Sequence, residues 1–78
     1  MTILAEELLE KPPGHWEPDD FRVARKLLGL TQSGLGGLVG LSRQWVVSIE
    51  NGHAKPPGAL ALALKYLLLK QRIDRDAV

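Results

Sequence analysis

Apolar residues recur at helical intervals in several stretches of this chain, and nowhere do they alternate with polar ones for more than a few residues, as a half-buried strand requires. The pattern predicts an all-α fold of four or five helices. Phe21, Ala24, Leu27 and Leu28 stand at i, i+3, i+6 and i+7, with Asp19 or Asp20 as N-cap and Gly29 as the stop, which predicts a first helix ending near Leu28. Thr31 caps a second helix and Ser42 a third, with Gly40 where the chain between them needs a positive φ or a close approach. Asn51-Gly52 ends the third helix, and His53-Ala54-Lys55 is a loop. Pro56-Pro57 opens a fourth helix, in the first turn where proline's missing N–H costs nothing; it reaches Leu69, with Ile73 in the same period.

Ahead of these helices, Ile3-Leu4 and Leu8-Leu9 have helical spacing, but the segment is too short to hold unless it docks. Pro12-Pro13-Gly14 breaks it, and His15-Trp16-Glu17-Pro18 reads as an extended connector, since a residue before proline is biased away from helix. The organisation expected is an N-terminal leader over residues 1–18, a helical domain over 19–73 and a tail over 74–78.

The second and third helices are joined by a three- or four-residue turn, the spacing of a helix-turn-helix. Two helices that cross so closely need a small residue at the contact and glycine at the reversal, which Gly36 and Gly40 supply. Leu35, Val39, Leu41, Val46 and Ile49 form the inward set, leaving Arg43, Gln44, Val47, Ser48 and Asn51 on the outer face of the third helix. Arginine can pair bidentately with guanine and glutamine with adenine, each worth about 1–3 kcal/mol of discrimination. Trp45, one step past Gln44, can stack at the edge of a groove or pack on neighbouring protein, the commoner use of an aromatic.

Leu28-Gly29-Leu30-Thr31-Gln32, then Leu35, Gly40, Leu41-Ser42 and Ile49-Glu50-Asn51-Gly52, followed by Lys55 and Pro57, resemble the phage repressor and Cro type of helix-turn-helix, often called XRE-like. The resemblance spans some fifty residues and implies that the third helix enters the major groove with its N-terminal end first. It implies that Arg43, Gln44 and Ser48 read base edges, with Trp45 and Val47 beside them. Gln32 would sit by a phosphate, with the helix-capping Thr31 and Ser42 nearby, and Asn51 and Lys55 would clasp the backbone. His53 is read as a loop residue near phosphate. The resemblance further implies a charge pair between Arg25 and Glu50 that fixes the angle of the third helix. Where the family usually has alanine, this chain has Gly36, flanked by Gly34 and Gly37; three glycines cost about 2–3 kcal/mol relative to alanines and predict a marginal second helix.

A formal net charge of +1 understates the basic character of the helical part. Residues 1–20 carry one lysine against six acids, a net −5, whereas residues 21–78 carry nine cations against three acids, a net +6. A basic domain suited to phosphate follows an acidic leader. With no cysteine, thiolate metal sites, disulfides and cysteine nucleophiles are excluded together, which fits a reducing cytoplasm. His15 and His53, 38 positions apart, have no companions that would make a metal site. Glu17, Asp19 and Asp20 are explained by helix capping, and no catalytic arrangement is present, so neither an enzyme nor a cofactor is expected. The start has no signal-peptide pattern. The apolar run Ala59 to Leu69 is about half of what spans a bilayer, so no membrane role is expected.

On the fourth helix Leu60, Ala63, Leu64, Leu67 and Leu68 are expected to face the core, leaving Leu62, Tyr66, Leu69 and Ile73 as a second apolar stripe. Either a second copy of the chain covers this stripe, or the leader folds back over it. The expectation is a cytoplasmic, prokaryotic or phage-encoded homodimer that binds a palindromic double-stranded DNA operator and represses by occupying a promoter. The alternatives are an antitoxin-like regulator or an adaptor whose residues 1–12 or last helix bind a protein partner.

Overall fold

The computed structural model describes residues 5–76, with side chains through Asp74, as five α-helices and one short 3-10 turn, with no strand among the described residues. The helices are α1 (Ala5–Glu10), α2 (Pro18–Leu27), α3 (Gln32–Val39), α4 (Arg43–Glu50) and α5 (Leu60–Asp76), with the 3-10 turn at Pro13–His15. Ile3 and Leu4 of the leader pattern lie outside the described residues.

Helix α2 starts earlier than expected. Its N-cap is Glu17 rather than Asp19 or Asp20, with Pro18 in the first turn. Asp20 instead sits three residues inside and reaches back, its carboxylate accepting the Glu17 N–H at 2.7 Å, which is the return arm of a capping box. Asp20 is buried and also accepts from Lys11 Nζ at 2.8 Å. That hydrogen bond raises the Lys11 ammonium above the usual lysine range, so on the lysine side the tie is lost only as alkali removes the proton.

Thr31 and Ser42 do cap α3 and α4, accepting from the N–H groups of Gly34 at 2.9 Å and Trp45 at 3.1 Å. Gly40 ends α3 at φ +75°, and the Leu41 N–H returns to the Gly36 carbonyl at 2.8 Å. The same six-to-one closure follows Gly29, from Leu30 to Arg25, and Gly52, from His53 to Ser48. Three successive helices therefore stop by one device. Helix α5 begins at Leu60, later than the Pro56-Pro57 expected, because residues 57–60 close a turn first, with the Leu60 N–H on the Pro57 carbonyl at 3.0 Å.

The core draws on every helix: Leu8 from α1, Phe21 and Ala24 from α2, Leu35 from α3, Val46 and Ile49 from α4, and Leu60, Ala61, Leu64 and Leu68 from α5. Two members come from the leader segment. Leu8 is fully buried, and Trp16, expected in an extended connector, is buried edge-on against Phe21 with ring centroids 5.2 Å apart. Docking lets so short a helix as α1 persist, and Lys65 fastens it by donating to the Leu9 carbonyl at 3.1 Å, at the helix end where a cation is favoured. Helix α5 buries Ala61, which stands by Trp16 and Phe21, and leaves Ala63 and Leu67 only half-buried, a rotation from the face expected.

The described residues of the leader do not cover the second stripe. With α1 in place, Leu62, Tyr66, Leu69 and Ile73 remain exposed.

The glycines of α3 divide by surroundings. A Cβ at Gly36 would collide with the Leu41 carbonyl oxygen, whereas one at Gly37 would meet nothing. Gly37→Ala is therefore expected to stabilise the protein by up to about 1 kcal/mol, roughly 4–8 °C in melting midpoint, and Gly36→Ala to destabilise it. Thermal denaturation followed by circular dichroism reads both; a Gly36→Ala protein as stable as its parent would contradict the close approach of α3 and the turn.

Candidate nucleic-acid interface

Helix α4 presents its first turn to solvent. Arg43 and Gln44 are exposed directly after the Ser42 cap, and Val46 and Ile49 on the opposite face are buried. Val47 and Ser48 are half-buried at the flanks, and Asn51 is exposed at the end of the helix. Trp45, for which packing against the chain is the commoner expectation, is 44% exposed, because the core side of α4 is already filled by Val46 and Ile49. It stands with Arg43 and Gln44 as part of the outward surface.

The far end of α4 is pinned. Arg25 approaches Glu50 with two donors, Nε to Oε2 at 2.7 Å and Nη2 to Oε1 at 3.0 Å, and its third nitrogen, Nη1, donates to the Leu30 carbonyl at 3.0 Å. The Glu50 side chain is 1% exposed. A planar fork on a buried carboxylate restricts both distance and angle, which a lysine could not do. Since Arg25 lies on α2 and Leu30 leads into α3, this one guanidinium ties three helices together.

Two further residues join this cluster that the sequence pattern does not place there. Arg22 donates from Nη2 to the Glu50 main-chain carbonyl at 3.0 Å, satisfying one of the acceptors that a helix end leaves open, and also bonds Asp19 at 3.0 Å. A signal for it exists: Arg22 is three residues before Arg25 and so shares its face of α2. Gln32, expected beside phosphate, turns its amide nitrogen towards Glu50 Oε1 at 3.4 Å, at the start of α3. No local pattern distinguishes that use of glutamine from a solvent-facing one.

The segment after α4 folds back onto it, with the His53 and Ala54 N–H groups both bonded to the Ser48 carbonyl at 2.8 and 3.2 Å. His53 and Lys55 are exposed on this loop. Lys55 also lies on the rim of a depression walled by Pro13, Trp16 and Phe21, so the loop faces the leader turn across it. Thr31 and Ser42 are exposed at the starts of their helices, their hydroxyls engaged as caps. Among the described residues no cluster of histidines and acids could hold a metal ion, and no helix is long and apolar enough to cross a membrane.

The arrangement offers an arginine, a glutamine and an indole on one end of a short helix, with its other end fixed by a buried ion pair. Such a helix can place donors against base edges at a set angle. A family model described as helix-turn-helix matches residues 21–64, from the first core residue of α2 to the second turn of α5. No curated protein and no solved structure matches the chain.

Proposed function

Since the chain belongs to the helix-turn-helix family of the XRE type, a family of DNA-binding transcription regulators, we propose that it is a dimeric, sequence-specific repressor that acts by occupying a promoter. Helix α4 enters the major groove, Arg43 and Gln44 read guanine and adenine in each half-site, and Ser48, Trp45 and Val47 line the groove beside them. Thr31, Gln32, Ser42, Asn51, His53 and Lys55 hold the sugar-phosphate backbone. The outward stripe of α5 joins two copies, so the operator is palindromic.

The observation that carries this reading is the exposure of Arg43 and Gln44 on a helix whose opposite end is clamped by Arg25 and Arg22. Base discrimination needs fixed donors. The charge division agrees, because the acids are concentrated in residues 1–20 and the helical part is basic.

Selection of bound sequences from a random duplex pool tests the proposal. A palindrome with G and A in each arm is expected to emerge. Replacing Arg43 or Gln44 with alanine is expected to weaken binding by about 1–3 kcal/mol per contact, roughly five- to a hundred-and-fiftyfold, and to relax one base position. Recovery of no preferred sequence, or alanine variants with unchanged affinity and preference, would defeat the reading. Affinity that falls only uniformly, with a shallower salt dependence, would mark these side chains as phosphate contacts instead.

A further inference from the structure

Leu38, near the end of α3, is 61% exposed between two apolar depressions. One, of about 330 Å³, is walled by Leu28, Leu30 and Leu67, with Lys70 and Asp74 on its rim. The other, of about 250 Å³, is walled by Val39, Leu41, Leu60 and Ala63. Lys70 lines a further hollow with Tyr66, Leu69 and Ile73, so the surroundings of Leu38 and the outward stripe of α5 form one surface joined by a lysine stem. A run of exposed apolar side chains of this kind marks a contact.

The described part of the chain's own leader is not its cover, because α1 is seated on another flank of α5 through Leu8 and Lys65. The stripe itself indicates the occupant. Leu62, Tyr66, Leu69 and Ile73 step by four, three and four residues, a series that reads the same from either end. Two α5 helices laid antiparallel about a two-fold therefore set Leu62 against Ile73 of the other copy and Tyr66 against Leu69 of the other copy, leaving no apolar member unmatched. A parallel pair also matches the stripe, but it aligns the two helix dipoles unfavourably.

We infer that this surface is occupied by a second copy of the chain with its α5 antiparallel, and that Leu38 of each copy is buried in the contact. The inference rests on the dimeric reading above and adds α3 to the interface. Its consequence is a linkage: the glycine-bearing helix that supports α4 gains its outer packing only in the dimer, so association and order of the helix-turn-helix rise together.

Sedimentation equilibrium of the full chain, together with cysteine pairing, tests this. The unaltered chain is expected to dimerise reversibly, and Leu38→Glu to raise the dissociation constant by on the order of ten- to a hundredfold or more while leaving the helical spectrum unchanged. Should Leu38→Glu disturb folding, Leu38→Gln serves in its place. The chain has no cysteine of its own. A mixture of Leu62→Cys and Ile73→Cys chains is therefore expected to form a disulfide on mild oxidation, and each variant alone is not. A dimer indifferent to Leu38 removes α3 from the interface while leaving the dimer standing. Self-crosslinking of Leu62→Cys overturns the antiparallel arrangement, and a chain that stays monomeric at its highest soluble concentration overturns the dimer itself.

Discussion

Glu50→Ala is expected to lower stability by about 3–5 kcal/mol, the cost of removing one partner of a buried ion pair, and to take DNA affinity with it. The loss is large because Glu50 is closed off from water while the Arg25 guanidinium beside it is only 12% exposed. Without the carboxylate, Arg25 keeps the Leu30 carbonyl, but its other donors face a desolvated gap. Arg22 keeps its bond to the main-chain carbonyl of residue 50 and cannot replace the lost fork. In a domain whose whole stability is of the order of 5–15 kcal/mol, such a change lowers the melting midpoint by roughly 15 °C or more. Arg25→Lys is expected to approach the same loss, because every nitrogen of the guanidinium is in use and an ammonium cannot reproduce the fork. A Glu50→Ala protein that melts within a few degrees of its parent would show that the pair does not hold α4.

The second large effect is expected at the other end of the chain. Leu8→Ala should cost about 2–5 kcal/mol, the range for emptying a closed leucine site, although the residue lies in a six-residue helix that composition marks as an acidic leader. Leu8 is fully buried between α1, α2 and α5, and its loss also loosens the contacts that keep α1 in place. The exposed neighbours Glu6 and Glu7 provide the control, since replacing either with alanine should stay within about 0.5 kcal/mol. Chemical denaturation reads the difference, and a Leu8→Ala protein no weaker than Glu7→Ala would return residues 5–10 to the status of a tail.

Much of the candidate interface is legible in the local chemistry of the chain. Thr31 and Ser42 combine a short hydroxyl side chain with a position just before an apolar period, and Gly40 and Gly52 stand where that period ends, so the limits of α3 and α4 follow from neighbouring residues. The outward position of Arg43 and Gln44 follows from the burial of Val46 and Ile49 through the helical repeat alone. What local chemistry does not reveal depends on distance along the chain. The Glu50 to Arg22 bond spans 28 positions and the Lys65 to Leu9 bond 56, and no window of neighbouring residues contains either. Glu17 displaces Asp19 and Asp20 as the cap of α2 because Pro18 fits the first helical turn and Asp20 gains both the Glu17 N–H and Lys11 by standing inside.

The all-helical class, the two capped helices around Gly40, the outward set on α4 and the second apolar stripe on α5 are all written in the order of the amino acids. Each is a matter of periodicity, capping or backbone freedom, which act over one or two turns. Packing across the molecule is what makes the leader part of the core, turns Ala61 of α5 inward beside Trp16 and Phe21 rather than Ala63 and Leu67, leaves Trp45 facing outward, and requires Gly36 beside the Leu41 carbonyl. Those outcomes depend on which surfaces meet. Many residues are equally apolar, and only contact with a particular neighbour selects among them.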